Sequence, residues 1–470
     1  MSAGTRQWAD YGPSPLLRRA LVTGCVMMAT IMQALDMTIA NVALPYMQGS
    51  LSATIDQVSW VLTSYVVAAA IMTAPVGWLA SRFGARNLLM TCAAGFTVMM
   101  SIYSFERRGA AMTLWGMGVM IGPIMGPALG GWLTDHYSWR WVFYINLPFG
   151  IATVLGLWAF MRETEQRRAT PFDWRGFASL SIAIGALQLM LDRGEQLGWF
   201  DAQEIVVEGL VSLAAFYFFL AHSLTAPRPF ISIEIFRDRN FVIGLSFMFL
   251  CGLLLLGTAA LMAPFLQNLA GYPVLDAGVL LGMRGVGTML AMMLVGRLMA
   301  RSDLRLLIAI GLAACVLSLY QSMDFSLDTS AGTIAWVGAL QGAGLGFLFV
   351  PLNTMAFATL PAASRTEGTA MWTLIRNMGS SIGVSIVIAN LSNKTILMHA
   401  RLMEAVTPFN QALGDPAAGM LDPATETGRA LLDNLITQQA GIIAYANDFK
   451  LLMLLTLFAF PLLLLIRSTR

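Results

Sequence analysis

Thirteen apolar runs, each near the about 20 residues that a bilayer crossing requires, divide this chain of 470 residues. They fall at about 20–43, 56–80, 87–104, 110–133, 139–161, 176–192, 204–224, 241–268, 276–300, 303–323, 331–353, 368–390 and 447–467. A soluble fold has no place for them. With 57% hydrophobic and 11% charged residues, the apolar surface exceeds what a water-soluble domain of this size can bury. The chain therefore reads as an all-α polytopic membrane protein. Its first run follows Arg18 and Arg19, is too long for a cleaved signal core and carries Asp36, so it reads as a retained span.

The polar inventory excludes several functions. A net charge of +2 gives no reason to expect nucleic acid. Cys25, Cys92, Cys251 and Cys315 all sit in apolar runs, where thiols act as small hydrophobes, so neither a disulfide nor a metal site is expected. The three histidines, His136, His222 and His399, have no ligand spacing. No cofactor is expected. A membrane-embedded enzyme would need a nucleophile–base pair or metal ligands in its spans, and none is evident.

Loop charges give an orientation. Arginines gather at Arg6/Arg18/Arg19, Arg82/Arg86, Arg107/Arg108, Arg162/Arg167/Arg168/Arg175, Arg228/Arg237/Arg239, Arg297/Arg301/Arg305, Arg365 and Arg467/Arg470, whereas loops 44–55 and 324–330 carry no Lys or Arg. The positive-inside rule then places both termini in the cytoplasm. One interval breaks the alternation: Arg82/Arg86 and Arg107/Arg108 both belong inside, yet only the run 87–104 separates them.

An internal repeat accounts for the break. ERRGAAM (106–112) resembles RTEGTAM (365–371), each opening a long apolar run, and GWLASR (77–82) resembles GRLMAR (296–301). From Gly296 to Gly368 is 72 residues, but from Gly77 to Gly109 only 32, so the first half is 40 residues short, about one helix with its loops. The second half spends those residues on the run containing LQGAGLG (340–346). Repeated halves are a common transporter plan, and a channel would not need one.

Within the run 110–133, Gly118, Gly122, Gly126 and Gly130 recur every fourth residue, with Pro123 and Pro127 beside them and Gly131 following. On a helix this leaves one face without side chains, which lets another backbone approach closely, while the prolines bend the rod.

A few polar residues interrupt the spans. Asp36 lies in LDMTIANVALP (35–45), with Gln33 on the same face; a carboxylate there is costly to desolvate and reads as a proton- or cation-binding acid, or else as an interface carboxylate near the membrane edge. Arg284 and Arg376 interrupt apolar helices of the second half and could pair with an acid, face a central cavity or snorkel to the interface. Gly77, Arg82, Gly84 and Arg86 form a tight cytoplasmic turn. Trp139, Arg140 and Trp141 begin an interfacial aromatic belt. The 31 methionines suit a cavity that adapts to varied ligands, and equally suit lipid-facing packing.

Together LDMTIANVALP, GWLASRFGAR, ERRGAAMTLWGMGVMIGPIMGPALGG and WRWVFYINLP resemble the major facilitator superfamily, and more narrowly its fourteen-span drug:proton antiporters of the EmrB/QacA type, over nearly the whole chain. The resemblance implies a two-bundle fold with two extra linker helices, about 13 of 14 spans being present. It implies inner-membrane efflux of lipophilic, cationic or amphipathic compounds, driven by the proton motive force. It also implies a periplasmic membrane-fusion adaptor and a TolC-like outer-membrane channel as partners. Asp36, Gly122, Gly126, Pro127, Gly130 and Gly131 match the family's pattern. Two departures stand out: Ser81 occupies the place of the family's usual loop acid, and the fourth span, with its intramembrane Arg, is absent. Export of a native metabolite or siderophore, or impaired transport owing to the missing span, are the alternatives.

The expected organisation is a first bundle at 1–170, two linker spans at 171–230 and a second bundle at 231–470. The segment 391–446 is expected as a polar periplasmic loop with a helical stretch near 425–440, suited to an adaptor.

Overall fold

In lipid a backbone must satisfy its own hydrogen bonds, so helices are the expected solution for runs of this length. The computed structural model describes residues 15–52, 64, 67–69, 71, 72, 75–83, 87, 122, 125, 126, 129–134, 136–161, 172–227, 229–299, 301–361, 364–404, 406 and 425–466. Among them every regular element is a helix. They run α1 Pro15–Leu51, α2 Val76–Phe83, α3 Asn146–Phe160, α4 Trp174–Arg193, α5 Gln203–Thr225, α6 Arg239–Pro264, α7 Val274–Leu298, α8 Leu304–Ser322, α9 Ala331–Ala358, α10 Arg365–Met403, α11 Glu426–Leu457 and α12 Phe460–Leu465. Nine stretches among the described residues are long and apolar enough to cross a membrane. They match the nine runs expected from 139 onward, and the first run lies within α1. The runs 87–104 and most of 56–80 and 110–133 lie outside the described residues, as do Gly84, Arg86, Gly118, Pro123 and Pro127.

Helix starts follow local chemistry. Asp173, Asp238, Asp303, Ser330 and Thr425 each accept a backbone N–H of the first turn with the side chain, at 3.0, 3.0, 3.0, 3.2 and 3.0 Å. These caps satisfy donors that the first turn leaves open.

The structure corrects the two ends of the expected loop at 391–446, while residues 405 and 407–424 lie outside the described residues and the helical stretch expected near 425–440 lies within α11. Helix α10 continues through Asn393, Lys394 and His399 to Met403, and α11 begins at Glu426, capped by Thr425. Polar composition suggests a loop there, but the stretch to Met403 holds neither Gly nor Pro to break a helix, and polar residues occupy exposed faces of the extended rods. The 39 residues of α10 extend about 58 Å at the helical rise of 1.5 Å, well beyond a hydrocarbon core of about 30 Å. The two extensions meet where the His399 ring lies 3.0 Å from Asp433 Oδ1.

Glycines set the packing. In the second half, side chains at Gly252 of α6 or Gly379 of α10 would overlap the backbone of Arg376 or Phe249, and Gly383 lies against Leu253, so α6 and α10 run parallel in close contact. Helix α9 is held on two sides. Gly342 meets the Arg284 carbonyl of α7, and Gly344 meets Gly311 and Cys315 of α8. This is the helix of LQGAGLG, for which the first half has no counterpart by spacing.

The first half repeats the α6–α10 arrangement. Gly122 packs against Ala34, and a Cβ on Gly130 would lie 2.9 Å from Ile39 Cγ1, so the glycine–proline segment runs parallel to α1. Helix α3 runs antiparallel to α1, with Gly156 facing Cys25 and Gly150 facing Met32. In the second half α11 is likewise antiparallel to α6: Phe265, in the turn that prolongs α6, meets Tyr445 edge to face, and Leu269 reaches Gly441.

The linker helices α4 and α5 form a hairpin through Ser212 Oγ donating to the Ala183 carbonyl at 2.8 Å. Asp173 clamps its base. It accepts from the N–H of Gly176 at 3.0 Å and of Phe230 at 2.9 Å, and the His222 ring lies 2.9 Å away. Burial alone would raise this carboxyl, but those hydrogen bonds and the attraction of His222 outweigh it and hold Asp173 below the ordinary carboxylate range.

Candidate functional site

Asp36 lies along α1 on the helix face that the close-packed neighbours approach. Its Oδ1 accepts a hydrogen bond from Asn146 Nδ2 at the start of α3. The carboxylate is half-buried, as is Gln33 one turn before it. Contacts at Gly122–Ala34 and Gly130–Ile39 bracket Asp36 along α1, while Asp36 itself turns to α3 and Asn146. Gly126 is buried between those two contacts. The arrangement packs backbones closely on either side of the acid along α1 and offers it an amide partner. Such a carboxyl can bind and release a proton with little rearrangement.

The outer end of this site is tied by aromatic residues. Trp139 Nε1 donates to Ser50 Oγ at 2.8 Å, joining the end of α1 to the turn before α3, and the Arg140 guanidinium lies 4.7 Å from the Trp139 ring centroid. Trp132, Tyr137, Trp141 and Tyr144 remain exposed there, as an interfacial belt should.

The structure does not bring Arg284 and Arg376 to Asp36. Arg284 Nη1 donates to the Leu255 carbonyl at 3.0 Å and to Thr258 Oγ1 at 2.8 Å, both on α6. Thr258 lines a small cavity within the second half, together with Ser318, Ser322 and Gln341. Arg376 makes a long contact of 3.4 Å to Asn377 Oδ1. Among the described residues neither guanidinium has a carboxylate within ion-pair distance. Of the cytoplasmic turn, Gly77 belongs to α2, Arg82 is exposed at its end, and Gly131 is half-buried on the antiporter-motif helix.

One acid was missed by reading the sequence. Asp448 is 0% exposed, in the middle of α11. Its Oδ1 accepts from Asn390 Nδ2 of α10 at 2.6 Å, and its Oδ2 has no partner. With the last span read as starting at 447, Asp448 looks like a helix-end residue. Following the helix back shows the signal: Leu432, Ile436, Ala440, Ala444, Asp448 and Leu452 recur every fourth residue and are all buried. A carboxylate in such a stripe is out of place unless it has a task.

Comparison with known proteins follows the same lines. The Major Facilitator Superfamily model matches residues 26–105 and 93–384. The fatty acid resistance protein FarB of Neisseria gonorrhoeae is 31% identical across 94% of this chain and 94% of that protein. The multidrug export protein EmrB of Escherichia coli K12 is 32% identical across 91% of each. Among solved structures, the human organic anion transporter MFSD10 shares the fold at a TM-score of 0.52 and 14% identity, over 94% of this chain and 99% of that one. The FarB alignment runs over 478 positions yet takes in 94% of this chain of 470 residues, so part of FarB faces gaps here. The two stretches matched by the family model overlap at 93–105.

Proposed function

This chain belongs to the Major Facilitator Superfamily and is a transporter rather than an enzyme, and we propose that it exports lipophilic, cationic or amphipathic compounds across the inner membrane in exchange for protons. The observation that carries this reading is Asp36: a half-buried carboxylate in the first span, held by an amide and flanked by glycine contacts. Protonation of Asp36 would alternate with binding of the exported compound between the bundles, which would rock about that site. The glycine face would seal the contact between helices and limit proton leak. Both termini are cytoplasmic in this reading.

The names of the two relatives, a fatty acid resistance protein and a multidrug export protein, both fit a lipophilic cargo. A periplasmic adaptor and an outer-membrane channel complete the pathway, with the protruding ends of α10 and α11 as the surface an adaptor would meet. Accumulation of ethidium in cells lacking their own efflux pumps tests the reading. Expression of this chain is expected to lower accumulation, and dissipating the proton gradient to restore it.

A second reading has its own observation. The spacing of 32 against 72 residues, the gapped alignment and the overlap of matched stretches at 93–105 support the loss of one span from the first bundle. In that reading the first half lacks the counterpart of α9 and transport is impaired.

A further inference from the structure

We propose that Asp448 is a second proton-binding site, housed in the carboxyl-terminal half and separate from Asp36. The inference deepens the export reading and rests on it for the link to transport. The geometry is specific. Asp448 is fully buried, one carboxylate oxygen is held by Asn390 at 2.6 Å and the other faces no donor. A permanently ionised carboxylate in that position would leave a charge and a lone-pair set uncompensated, which is costly in a low-dielectric interior. A protonated carboxyl gives the open oxygen a hydrogen and removes the charge. The site therefore has two states that differ by one proton, exchanged with water.

The surroundings supply no alternative counter-charge. Tyr445, one turn earlier on α11, interacts with Asp448 but brings no positive charge. On α10, Lys394 lies one turn beyond Asn390 and makes no ion pair among the described residues, and Arg376 interacts with Cys251 of α6. On α8, Cys315 points to the Gln341 carbonyl and Arg305 donates to the Ile466 carbonyl. The turn Phe265–Leu269 carries no ionisable residue. A small cavity with Thr258, Ser318 and Ser322 in its wall is bordered by Phe449, the residue next to Asp448, and Asp448 itself does not line it. Each half thus holds an Asp–Asn pair between two of its helices, at positions that do not correspond: α1 with α3 in the first half, α11 with α10 in the second.

The test is infrared absorption of the carboxylic C=O group in the purified full chain, reconstituted in lipid and titrated with pH. A pH-dependent band should be present in the unmodified chain and in Asp36→Asn; within that Asp36→Asn background, where Asp36 contributes none, it should be lost when Asp448→Asn is added and return at a displaced frequency when Asp448→Glu is added instead. A band unchanged on adding Asp448→Asn would overturn the proposal, as would a carboxyl that does not titrate in the unmodified chain. Should Asp448→Asn fail to fold, Asp448→Glu decides: a titrating band at the displaced frequency supports the site, and an undisplaced one contradicts it. A second readout separates the two ideas. Tetraphenylphosphonium added to the chain should release protons, with about half the release in Asp448→Asn. No release from the unmodified chain, with the Asp448 band intact, upholds the site and counts against the export reading.

Discussion

Asp36 of α1 and Asn146 of α3 meet across 110 residues of sequence, the amide donating to the carboxylate. The pair ties two antiparallel helices together at the acid to which the proposed function assigns the exchanged proton. Asn146→Leu removes the donor without changing the charge. It is expected to leave the chain inserted but to shift the pH at which ethidium efflux is half-maximal, as measured in everted vesicles; an unchanged pH profile would show that the pair serves packing alone.

The glycine face should not tolerate bulk. Gly122 is buried against the backbone of Ala34, so Gly122→Leu forces two helices apart at a cost of roughly 1–3 kcal/mol. A lower thermal midpoint in detergent and lost or uncoupled transport are expected. Wild-type stability with normal transport would place that face against lipid.

Both of those positions were legible in the sequence, because an acid in an apolar run and glycines at four-residue spacing are local signals. The nine runs from 139 onward were equally readable, since lipid allows few alternatives to a helix. The ends of the last two helices were not. Asn393, Lys394 and His399 look like loop residues, and only the pairing of two protruding rods, with His399 against Asp433, explains their helical state. Asp448 was hidden by the same error, because misplacing the start of α11 turned a mid-helix carboxylate into an end residue. The partners of Arg284 were out of reach for another reason: Leu255 and Thr258 lie 29 and 26 residues away on another helix.

The Asp173 clamp predicts a response to acid. Its carboxyl is held below the ordinary range by its hydrogen bonds, so its stabilisation is present above the unfolded value of about 4 and is lost as pH falls through the lower folded value. Thermal midpoints measured from pH 6 downward should therefore decline, and Asp173→Asn should flatten that decline while lowering stability at pH 6. Identical slopes would mean that other carboxylates dominate.

Orientation can be read with cysteine labelling. Gly122 and Gly130 follow Ala34 and Ile39 in the same direction along α1. In a chain cleared of native cysteines, Arg107→Cys, Arg167→Cys and Asp303→Cys should all react with a reagent confined to the cytoplasm. Periplasmic labelling at positions 167 and 303 would contradict the orientation and mean that every later span is inverted.

The shortened first half gives a further expectation. Grafting the fourth span and its loops from an EmrB-type relative between positions 87 and 107 should raise ethidium efflux at least several-fold if the loss impairs transport. Equal efflux with and without the graft would remove the second reading.

Proton-coupled movement of a lipophilic cation by the purified chain tests the central claim most directly. In liposomes with an imposed pH gradient and tetraphenylphosphonium as the cargo, the unmodified chain should drive movement that collapses with the gradient. Asp36→Asn, inserted to the same level, should abolish it. Gradient-driven movement that survives in Asp36→Asn would contradict the assigned role of that carboxylate, and no movement by the unmodified chain would contradict proton-coupled export itself.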